Sequence, residues 1–456
     1  MPNIEDIVKE ALRIVTPSQD EAKAINNTAS EVIHLLEGKL RELGLEAEVT
    51  LQGSIAHGTW LPGDRDIDIF LVFPRNDKYI NLVKSGELVR NLAAAISEMG
   101  ISWVMNYAQH PYLTLTYNGF NIDVVPCIRM RSGEKPITAA DRTPLHTLYL
   151  RGRLSGLEGD VRLLKLMMKR INVYGAEVKV QGFSGYLTEL ITLAYGGFIN
   201  TLKAASRWIP FKVKVILEKI PGQVEFNAPL VVIDPVDPSR NVAAAVSLDS
   251  MAIFIAASRY FLKKPSMVFF TNNTQPPSAS LIPTTPTLIM YGEYPKGYVE
   301  DIVWGQLRRI AATIWSTVST SGFKPVDVGL YTPQDNYIVI MLTVEEPELP
   351  EYEAHMGPPV WTNEADAFIE KYLNASNVVG PFIRDGRWFV IRPRRIRNIK
   401  EAVIRGLKAV RGGVVKDSLL KGQVVLLSDA AQVNELPVGL RSIVLTFMSK
   451  RPHWLT

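Results

Sequence analysis

Apolar positions near the N-terminus first recur at helical spacing and then alternate with polar ones, which predicts a helix followed by strands. The helix is expected to begin at Thr16-Pro17-Ser18-Gln19, which has the form of a capping box with proline at the first helical position, and to stop at Gly44. Strands are expected over residues 45–51, 66–73, 112–117 and 120–128. Tyr117-Asn118-Gly119 predicts a hairpin between the last two strands. The first segment is therefore of the α+β type.

The pattern becomes helical in the middle of the chain. Apolar faces predict one helix over about 158–171 and a second from Ser184 to Gly196-Gly197. Residues 271–287 contain neither aromatic nor charged side chains, which is typical of a linker or a long surface loop. After this segment, a helix around 300–320 and strands around 337–344 indicate an α/β region. Because 456 residues exceed what one hydrophobic core holds, we expect about three domains.

The composition favours a large globular enzyme. Hydrophobic residues make up 47% of the chain, yet no uninterrupted apolar run has membrane-spanning length, so no membrane partner is expected. The acidic N-terminus lacks the pattern of a secretory signal, which makes the cytoplasm the expected location. The single cysteine, Cys127, excludes an intrachain disulfide and a multi-cysteine zinc site, and its apolar neighbours predict a core thiol.

Three aspartates lie within apolar runs that predict buried strands. Asp66 and Asp68 are two residues apart, so their side chains leave one face of a strand together, and Asp123 lies on a later strand. Buried acids are costly unless a cation offsets them, and two Mg²⁺ ions held by carboxylates are used for in-line displacement at phosphorus. We therefore predict a two-metal phosphoryl-transfer site. An isolated Asp-x-Asp is more often a strand-end pair that forms a salt bridge to a cation such as Arg65.

Gly53-Ser54, at the end of the strand over 45–51, strengthens that prediction. Glycine lets the backbone approach a phosphate, serine donates through its hydroxyl, and a helix that starts here adds free N–H groups. Alone, Gly-Ser predicts only a turn. Eleven residues separate it from Asp66, however, and the ordered set of Gly-Ser, Asp-x-Asp and a third aspartate matches the nucleotidyltransferase superfamily related to DNA polymerase β.

Positive charge is concentrated near the C-terminus. Between Arg384 and Lys416 there are eleven basic and two acidic residues, a net charge of +9 in a chain whose total is +4. Trp388-Phe389 adds aromatic side chains to the same segment. Because lysine and arginine neutralise phosphates, we predict contact with RNA or DNA. A solvated cationic face is the alternative, although such faces usually mix more acids among their bases.

The chain resembles the archaeal, class I tRNA CCA-adding enzymes, also called CCA tRNA nucleotidyltransferases, over nearly its whole length. Beyond the superfamily signature, the resemblance is carried by motifs along the middle of the chain. They include Gly58-Thr59-Trp60-Leu61, Arg142-Thr143-Pro144, Tyr174-Gly175-Ala176-Glu177, Gly182-Phe183-Ser184-Gly185-Tyr186-Leu187, Asp234-Pro235-Val236-Asp237 and Arg240-Asn241-Val242-Ala243. These motifs are more diagnostic than the catalytic ones, since the superfamily signature alone also admits poly(A) polymerases.

The resemblance implies a multidomain α+β fold. It has a polymerase β-like nucleotidyltransferase head over residues 1–150, a helical nucleotide-binding neck over 151–262, and an α/β body and basic tail over 263–456, with the tail at about 360–420. The implied activity is template-independent addition of CCA to the 3′ end of tRNA from CTP and ATP, with release of pyrophosphate. A poly(A)-type RNA 3′-terminal nucleotidyltransferase is the alternative enzyme, and an RNA-binding scaffold with a degenerate head is the alternative of another class. Dimers occur in the resembled family, so a homodimer is one oligomeric state that the sequence allows.

The resemblance also implies roles for particular residues, with the tRNA acceptor arm held by body and tail. Two Mg²⁺ ions and the catalytic step are assigned to Asp66, Asp68 and Asp123. Contacts to the nucleotide are assigned to Gly53, Ser54, His57, His146, Lys165, Tyr174 and Arg240. The charge pattern, rather than the resemblance, leads us to expect contacts to RNA from Arg392, Arg394, Arg395 and Arg397. His57 departs from the family, which usually has arginine or lysine at that position, so its triphosphate contact is weakened or becomes pH-dependent.

On the helix over 158–171, Arg162, Lys165 and Lys169 form a basic stripe. Taken alone, such a stripe is an ordinary solvated face. The resemblance turns it into an expected phosphate clamp.

Overall fold

The computed structural model describes residues 3–107, 110–131, 133–219, 225–272, 278, 279, 282, 285–333 and 336–455. Packing divides the chain into two units, residues 1–273 with 453–456 and residues 274–452. The linker predicted over 271–287 spans this division, and much of it lies outside the described residues. Each unit has its own sheets and helices.

Two helices, α1 (Ile4–Val15) and α2 (Gln19–Glu42), open the first unit. The hydroxyl of Ser18 caps α2 by accepting a hydrogen bond from the Glu21 N–H at 3.1 Å. Thr16 is instead the C-cap residue of α1, a helix that the sequence analysis did not predict. The helix predicted from Thr16 therefore starts at Gln19, because the serine of the same segment satisfies its free N–H groups.

A five-stranded sheet follows, in the order β1-β2-β5-β4-β3. Its strands are β1 (Glu48–Gln52), β2 (Asp66–Phe73), β3 (Ser102–Tyr107), β4 (Pro111–Tyr117) and β5 (Phe120–Ile128). Helices α3 (Gly53–His57), α4 (Asp77–Ser85) and α5 (Glu87–Ser97) connect the strands. The central pair, β2 and β5, is parallel, whereas the other neighbours are antiparallel. The hairpin predicted between β4 and β5 is confirmed, and β3, an edge strand, was not predicted.

The rest of the first unit is mainly helical. Its elements are α6 (Thr143–Leu150), α7 (Glu158–Arg170), α8 (Gly185–Tyr195), α9 (Phe198–Ala205), the short strands β6 (Val213–Val215) and β7 (Leu230–Val232), and α10 (Leu248–Lys263). The two helices predicted here are confirmed as α7 and α8. Ser184 caps α8 by accepting from the Leu187 N–H at 3.2 Å, and Gly196 ends it in a left-handed conformation.

The second unit combines two antiparallel sheets with helices. A four-stranded sheet has the order β14-β8-β10-β9, and a three-stranded sheet has the order β11-β13-β12. The strands are β8 (Thr287–Glu293), β9 (Pro325–Tyr331), β10 (Tyr337–Val344), β11 (Tyr352–Pro359), β12 (Val379–Arg384), β13 (Arg387–Pro393) and β14 (Gln423–Leu427). The helices are α11 (Glu300–Thr320), α12 (Glu364–Leu373), α13 (Ile399–Ala409), α14 (Val414–Lys421) and α15 (Val438–Ser449). The helix predicted over 300–320 and the strand over 337–344 are confirmed, and the fold is of the α+β class.

Candidate active site

The parallel pairing of β2 with β5 brings the predicted carboxylates together. Asp68 lies opposite Asp123 in the register, and Asp66 lies opposite Asn121. Gly53, the first residue of α3, has a φ of +68°, and a Cβ built on it would overlap a carboxylate oxygen of Asp68. A glycine is therefore required here for both its conformation and its contact. The start of α3 and the carboxylates form one site.

Crowding of negative charge perturbs this site. Burial, reinforced by the charges of Asp123 and Asp66, raises the pKa of Asp68 to about 6. Burial and the charge of Asp66 also raise the pKa of Asp123, against the hydrogen bond that Thr114 donates to its Oδ1 at 2.5 Å. Burial and mutual repulsion thus disfavour the ionised carboxyls, and hard oxygen donors that repel one another suit a divalent cation.

The carboxylates bond to neighbouring side chains rather than converging on one point. Asp66 is exposed and accepts from the Asn121 side chain at 3.3 Å, while Asp123 accepts from Thr114. Within the described residues, no three side chains of histidine, cysteine, aspartate or glutamate are arranged to hold one ion. The oxygen donors of these aspartates are of the type that a divalent metal prefers.

His57, at the C-terminal end of α3, faces the helical part of the unit. Its Nδ1 lies 3.1 Å from both oxygens of Glu189, and its Nε2 lies 3.1 Å from the hydroxyl of Thr147. The hydroxyl of Thr59 donates to Glu189 Oε1 at 2.5 Å. The side chains of His57 and Glu189 are only 5% and 4% exposed. Both ring nitrogens of His57 therefore have protein partners.

Lys165 is the buried member of the predicted basic stripe. Its Nζ donates to the carbonyl and the hydroxyl of Thr59 at 3.1 and 3.2 Å and lies 3.9 Å from Glu189. Burial lowers the pKa of Lys165, and the charge of Glu189 opposes that effect. By contrast, Lys169 is exposed and pairs with Asp64 at 3.4 Å. Arg162 donates to the carbonyl of Gly58 at 2.6 Å. The three basic residues of the stripe therefore differ in burial and in their hydrogen-bond partners.

Gly185, the first residue of α8, lies close to the side chains of both Lys165 and Tyr174. A Cβ built on Gly185 would lie 3.1 Å from the hydroxyl of Tyr174 and 4.0 Å from Nζ of Lys165. Burial raises the pKa of Tyr174, so its hydroxyl stays protonated and able to donate. A helix N-terminus, an ammonium and a phenol are all groups that bind anions.

A second cluster surrounds Asp234, whose side chain is fully buried. Its Oδ2 accepts from His146 Nε2 at 3.0 Å and from Arg240 at 2.9 Å. Burial opposes ionisation of Asp234, but the bonds from His146, the Val236 backbone and Arg240 outweigh it, so the pKa is lowered. The ring of His146 stacks on Tyr186 at 3.9 Å. Burial lowers the pKa of His146 despite its bond to Asp234.

Arg240 also lines a cavity of about 490 Å³. The other lining residues are Ala176, Ser184, Phe226, Asn227, Ala228, Asn241, Val242, Ala244 and Ala245. The guanidinium is held by Asp234 on one side and borders this cavity, which is large enough for a heterocyclic base. The residues predicted to bind the nucleotide thus fall into two groups, one near Lys165 and one near Arg240.

The cationic segment lies in the second unit, and its arginines differ in their contacts. Arg392 and Arg394 share Glu353 at 3.0 and 3.2 Å, and Arg392 also donates to Tyr372 at 2.8 Å. Arg395 and Arg397 are exposed, and Nε of Arg397 donates to the Leu349 carbonyl at 3.3 Å. Part of the positive charge counted in the sequence is therefore neutralised inside the unit.

Sequence reasoning missed three residues of the site: Glu189, Thr59 and Asp234. Thr59 and Asp234 lay in motifs that carried the resemblance but received no role. A signal for Glu189 existed, because it is the only charged residue in the apolar sequence of α8. Acids in apolar helices are rarely buried without a partner.

Comparison with known proteins identifies relatives of this chain along most of its length. A family model described as a nucleotidyltransferase domain matches residues 33–146, one for the second domain of tRNA nucleotidyltransferase matches 159–271, and one for the C-terminal domain of CCA-adding enzyme matches 284–427. The CCA-adding enzyme of Pyrobaculum islandicum is 45% identical over 404 residues, which cover 88% of this chain and 93% of the relative. The CCA-adding enzyme of Pyrobaculum neutrophilum is 45% identical over 425 residues, which cover 91% of this chain and 99% of the relative.

A more distant relative extends the match almost end to end. The CCA-adding enzyme of Saccharolobus shibatae is 35% identical over 454 residues, 98% of this chain and all of its own length. The three family models together cover the sheet, the helical part and most of the second unit. The chain belongs to the family of archaeal CCA-adding enzymes.

Proposed function

We propose that this protein is a template-independent tRNA nucleotidyltransferase that completes the 3′ end of tRNA with CCA, using CTP and ATP and releasing pyrophosphate. The observation that carries the proposal is the pairing of Asp68 with Asp123 beside Gly53, in a chain whose relatives along nearly its full length are CCA-adding enzymes. Adjacent carboxylates next to a helix start suit phosphoryl transfer from a triphosphate.

Asp66, Asp68 and Asp123 would hold the metal, which we expect to be two Mg²⁺ ions. When bound, the ions would supply charge stabilisation for the attacking and leaving oxygens. The raised pKa values of Asp68 and Asp123 support this assignment, because a cation would relieve the repulsion between the acids. Asp123 is our candidate base for the 3′ hydroxyl.

The triphosphate is assigned to Gly53 and Ser54 at the start of α3 and to Lys165 and Tyr174. Gly53 lies against Asp68, so a phosphate held by the α3 backbone would be next to the carboxylates. Lys165 and Tyr174 meet at the start of α8, where an ammonium and a protonated phenol can bind oxygen anions.

We expect His57 to make no direct triphosphate contact. Both of its ring nitrogens already face Glu189 and Thr147, which leaves no ring donor for a phosphate. Recognition of ribose and base is assigned to His146 and Arg240, because both are held by one buried carboxylate and Arg240 borders the cavity.

The tRNA acceptor arm is assigned to the body and tail, residues 263–456, while residues 1–150 form the head and 151–262 the neck. Arg395 and Arg397 are the better candidates for phosphate contacts because they are exposed, whereas Arg392 and Arg394 share a carboxylate. We expect the enzyme to act in the cytoplasm. No helix in the described part of the chain has both the length and the apolar character needed to cross a bilayer.

The decisive experiment uses Mg²⁺, CTP, ATP and a tRNA that lacks its 3′ end, followed by sequencing of the products. We expect two cytidines and one adenosine to be added, then a stop, with UTP and GTP rejected. A poly(A)-type enzyme would add a long adenosine tract to many RNAs, and that product would overturn the proposal.

A further inference from the structure

Glu189 is a buried carboxylate at the centre of a polar cluster. It is the only charged residue in α8, where Leu187, Leu190 and Ile191 are fully buried around it. Its side chain is 4% exposed. A buried charge is costly unless other groups compensate it, so the contacts of Glu189 must account for its presence.

Both oxygens of Glu189 accept from the segment that follows the start of α3. Oε1 accepts from the Thr59 hydroxyl at 2.5 Å, and both oxygens lie 3.1 Å from Nδ1 of His57. Nδ1 therefore carries the proton and donates to the carboxylate. These bonds connect α3 to α8 across 130 and 132 positions of the sequence. Glu189 thus fixes the C-terminal end of α3, whose other end is Gly53.

Glu189 also acts on Lys165 through Thr59. The ammonium donates to both oxygens of Thr59, at 3.1 and 3.2 Å, while Glu189 lies 3.9 Å away. The hydroxyl of Thr59 accepts a hydrogen bond from Lys165 and donates one to Glu189, so one carboxylate orders both groups. Burial lowers the pKa of Lys165, and the charge of Glu189 is the first opposing influence.

The position of Glu189 on its helix ties these bonds to the candidate triphosphate site. Gly185 lies one turn earlier on α8, beside the hydroxyl of Tyr174 and Nζ of Lys165. The acceptor sites of Glu189 are used by protein donors, so it need not touch the nucleotide. Its effect on the site would be exerted through Lys165, Thr59 and His57.

We propose that Glu189 is a positioning residue for nucleotide binding, which holds the α3 segment against α8 and directs Lys165 toward the triphosphate. This inference rests on the proposed function. It predicts that loss of the carboxylate impairs nucleotide binding more than tRNA binding or folding.

The test compares Glu189→Gln, which keeps the shape but removes the charge, with wild type in steady-state CCA addition and in thermal unfolding. We expect KM for CTP and ATP to rise about tenfold to a hundredfold, the loss typical of a charge-assisted bond, with KM for tRNA changed less than about twofold. Glu189→Asp, which keeps the charge, should recover part of the affinity. An unchanged KM for both nucleotides, with only a lower Tm, would overturn the proposal.

Two further variants keep the test decisive if Glu189→Gln folds poorly. Thr59→Val retains volume and removes the hydroxyl between Lys165 and Glu189, so it should raise KM for nucleotides in the same way. In a Lys165→Met background, Glu189→Gln should raise KM by a clearly smaller factor than in wild type, since the part of its effect exerted through Lys165 is already lost. A full additional loss there would show that Glu189 does not act through Lys165.

Asp160→Asn is the matched control. Asp160 lies on α7, the helix that also carries Lys165. Its carboxylate accepts a hydrogen bond from the Phe198 N–H at the start of α9 and, among the described residues, makes no hydrogen bond to the polar cluster around Glu189. Its loss should lower Tm and leave KM for nucleotides unchanged. The wild-type reaction separates the two hypotheses: if wild type adds no nucleotides to truncated tRNA, the proposed function fails, whereas a failure confined to the Glu189 variants concerns this inference alone.

Discussion

Asp68→Asn should stabilise the metal-free protein while it abolishes nucleotide transfer. The pKa of Asp68 is raised from 3.8 to about 6 by burial and by the charges of Asp123 and Asp66. A raised pKa means that the folded state disfavours the ionised form, so ionisation costs stability as pH rises from about 4 through 6. A shift of this size corresponds to roughly 3 kcal/mol at neutral pH, which the neutral amide would recover.

Thermal unfolding in EDTA measures this effect. We expect Tm of Asp68→Asn to exceed that of wild type by several degrees at pH 7.5, since about 1 kcal/mol corresponds to 2–4 °C in a unit of this size. The difference should shrink toward pH 4, where the wild-type carboxyl is protonated, and should fall when saturating Mg²⁺ is added to wild type. Asp160→Asn serves as a control that should be destabilised under all these conditions. An equal or lower Tm for Asp68→Asn at pH 7.5 in EDTA would refute the electrostatic reasoning.

Three other predictions concern the metal, the RNA and the base. Asp123→Asn should abolish transfer with tRNA affinity nearly intact in a filter-binding assay, and near-normal turnover would remove Asp123 from the catalytic set. Replacing Arg395 and Arg397 by alanine should reduce the slope of log affinity for tRNA against log salt concentration by roughly 0.7–0.9 per lost phosphate contact. Arg392→Ala should instead lower Tm. An unchanged slope would mean that Arg395 and Arg397 belong to a solvated surface. Arg240→Ala should raise misincorporation in sequenced products as well as lower rate, because base edges lose a fixed donor, and wild-type fidelity would assign base selection to other residues.

The strands that carry the acids could be predicted because their hydrophobic pattern is local. β2 and β5 are mostly apolar runs that contain the aspartates, and the hairpin before β5 has a strong turn sequence. β3 was missed because its alternation is weak and its residues are partly exposed at a sheet edge. Helix α1 was missed although its apolar residues Ile7, Ala11 and Val15 recur at helical spacing.

The candidate site was less predictable because its partners come from distant positions. The place of His57 after Ser54 predicts a triphosphate contact, but its ring nitrogens face Thr147 and Glu189, 90 and 132 positions away. Sequence spacing could not distinguish Lys165 from Lys169, since both lie on one helical stripe, and only packing buries the first. Charge counting likewise could not show that Arg392 and Arg394 share Glu353.

The parallel contact between β2 and β5 has a consequence for how the protein is made. Asp68 and Asp123 become neighbours only after α4, α5, β3 and β4 have been synthesised and β5 has inserted beside β2. Non-local pairing of this kind is slow, because the entropy of closing a long loop is lost before the contacts form. A ribosome-bound chain that ends before residue 120 therefore has β2 without β5, and nascent fragments should bind neither metal nor nucleotide.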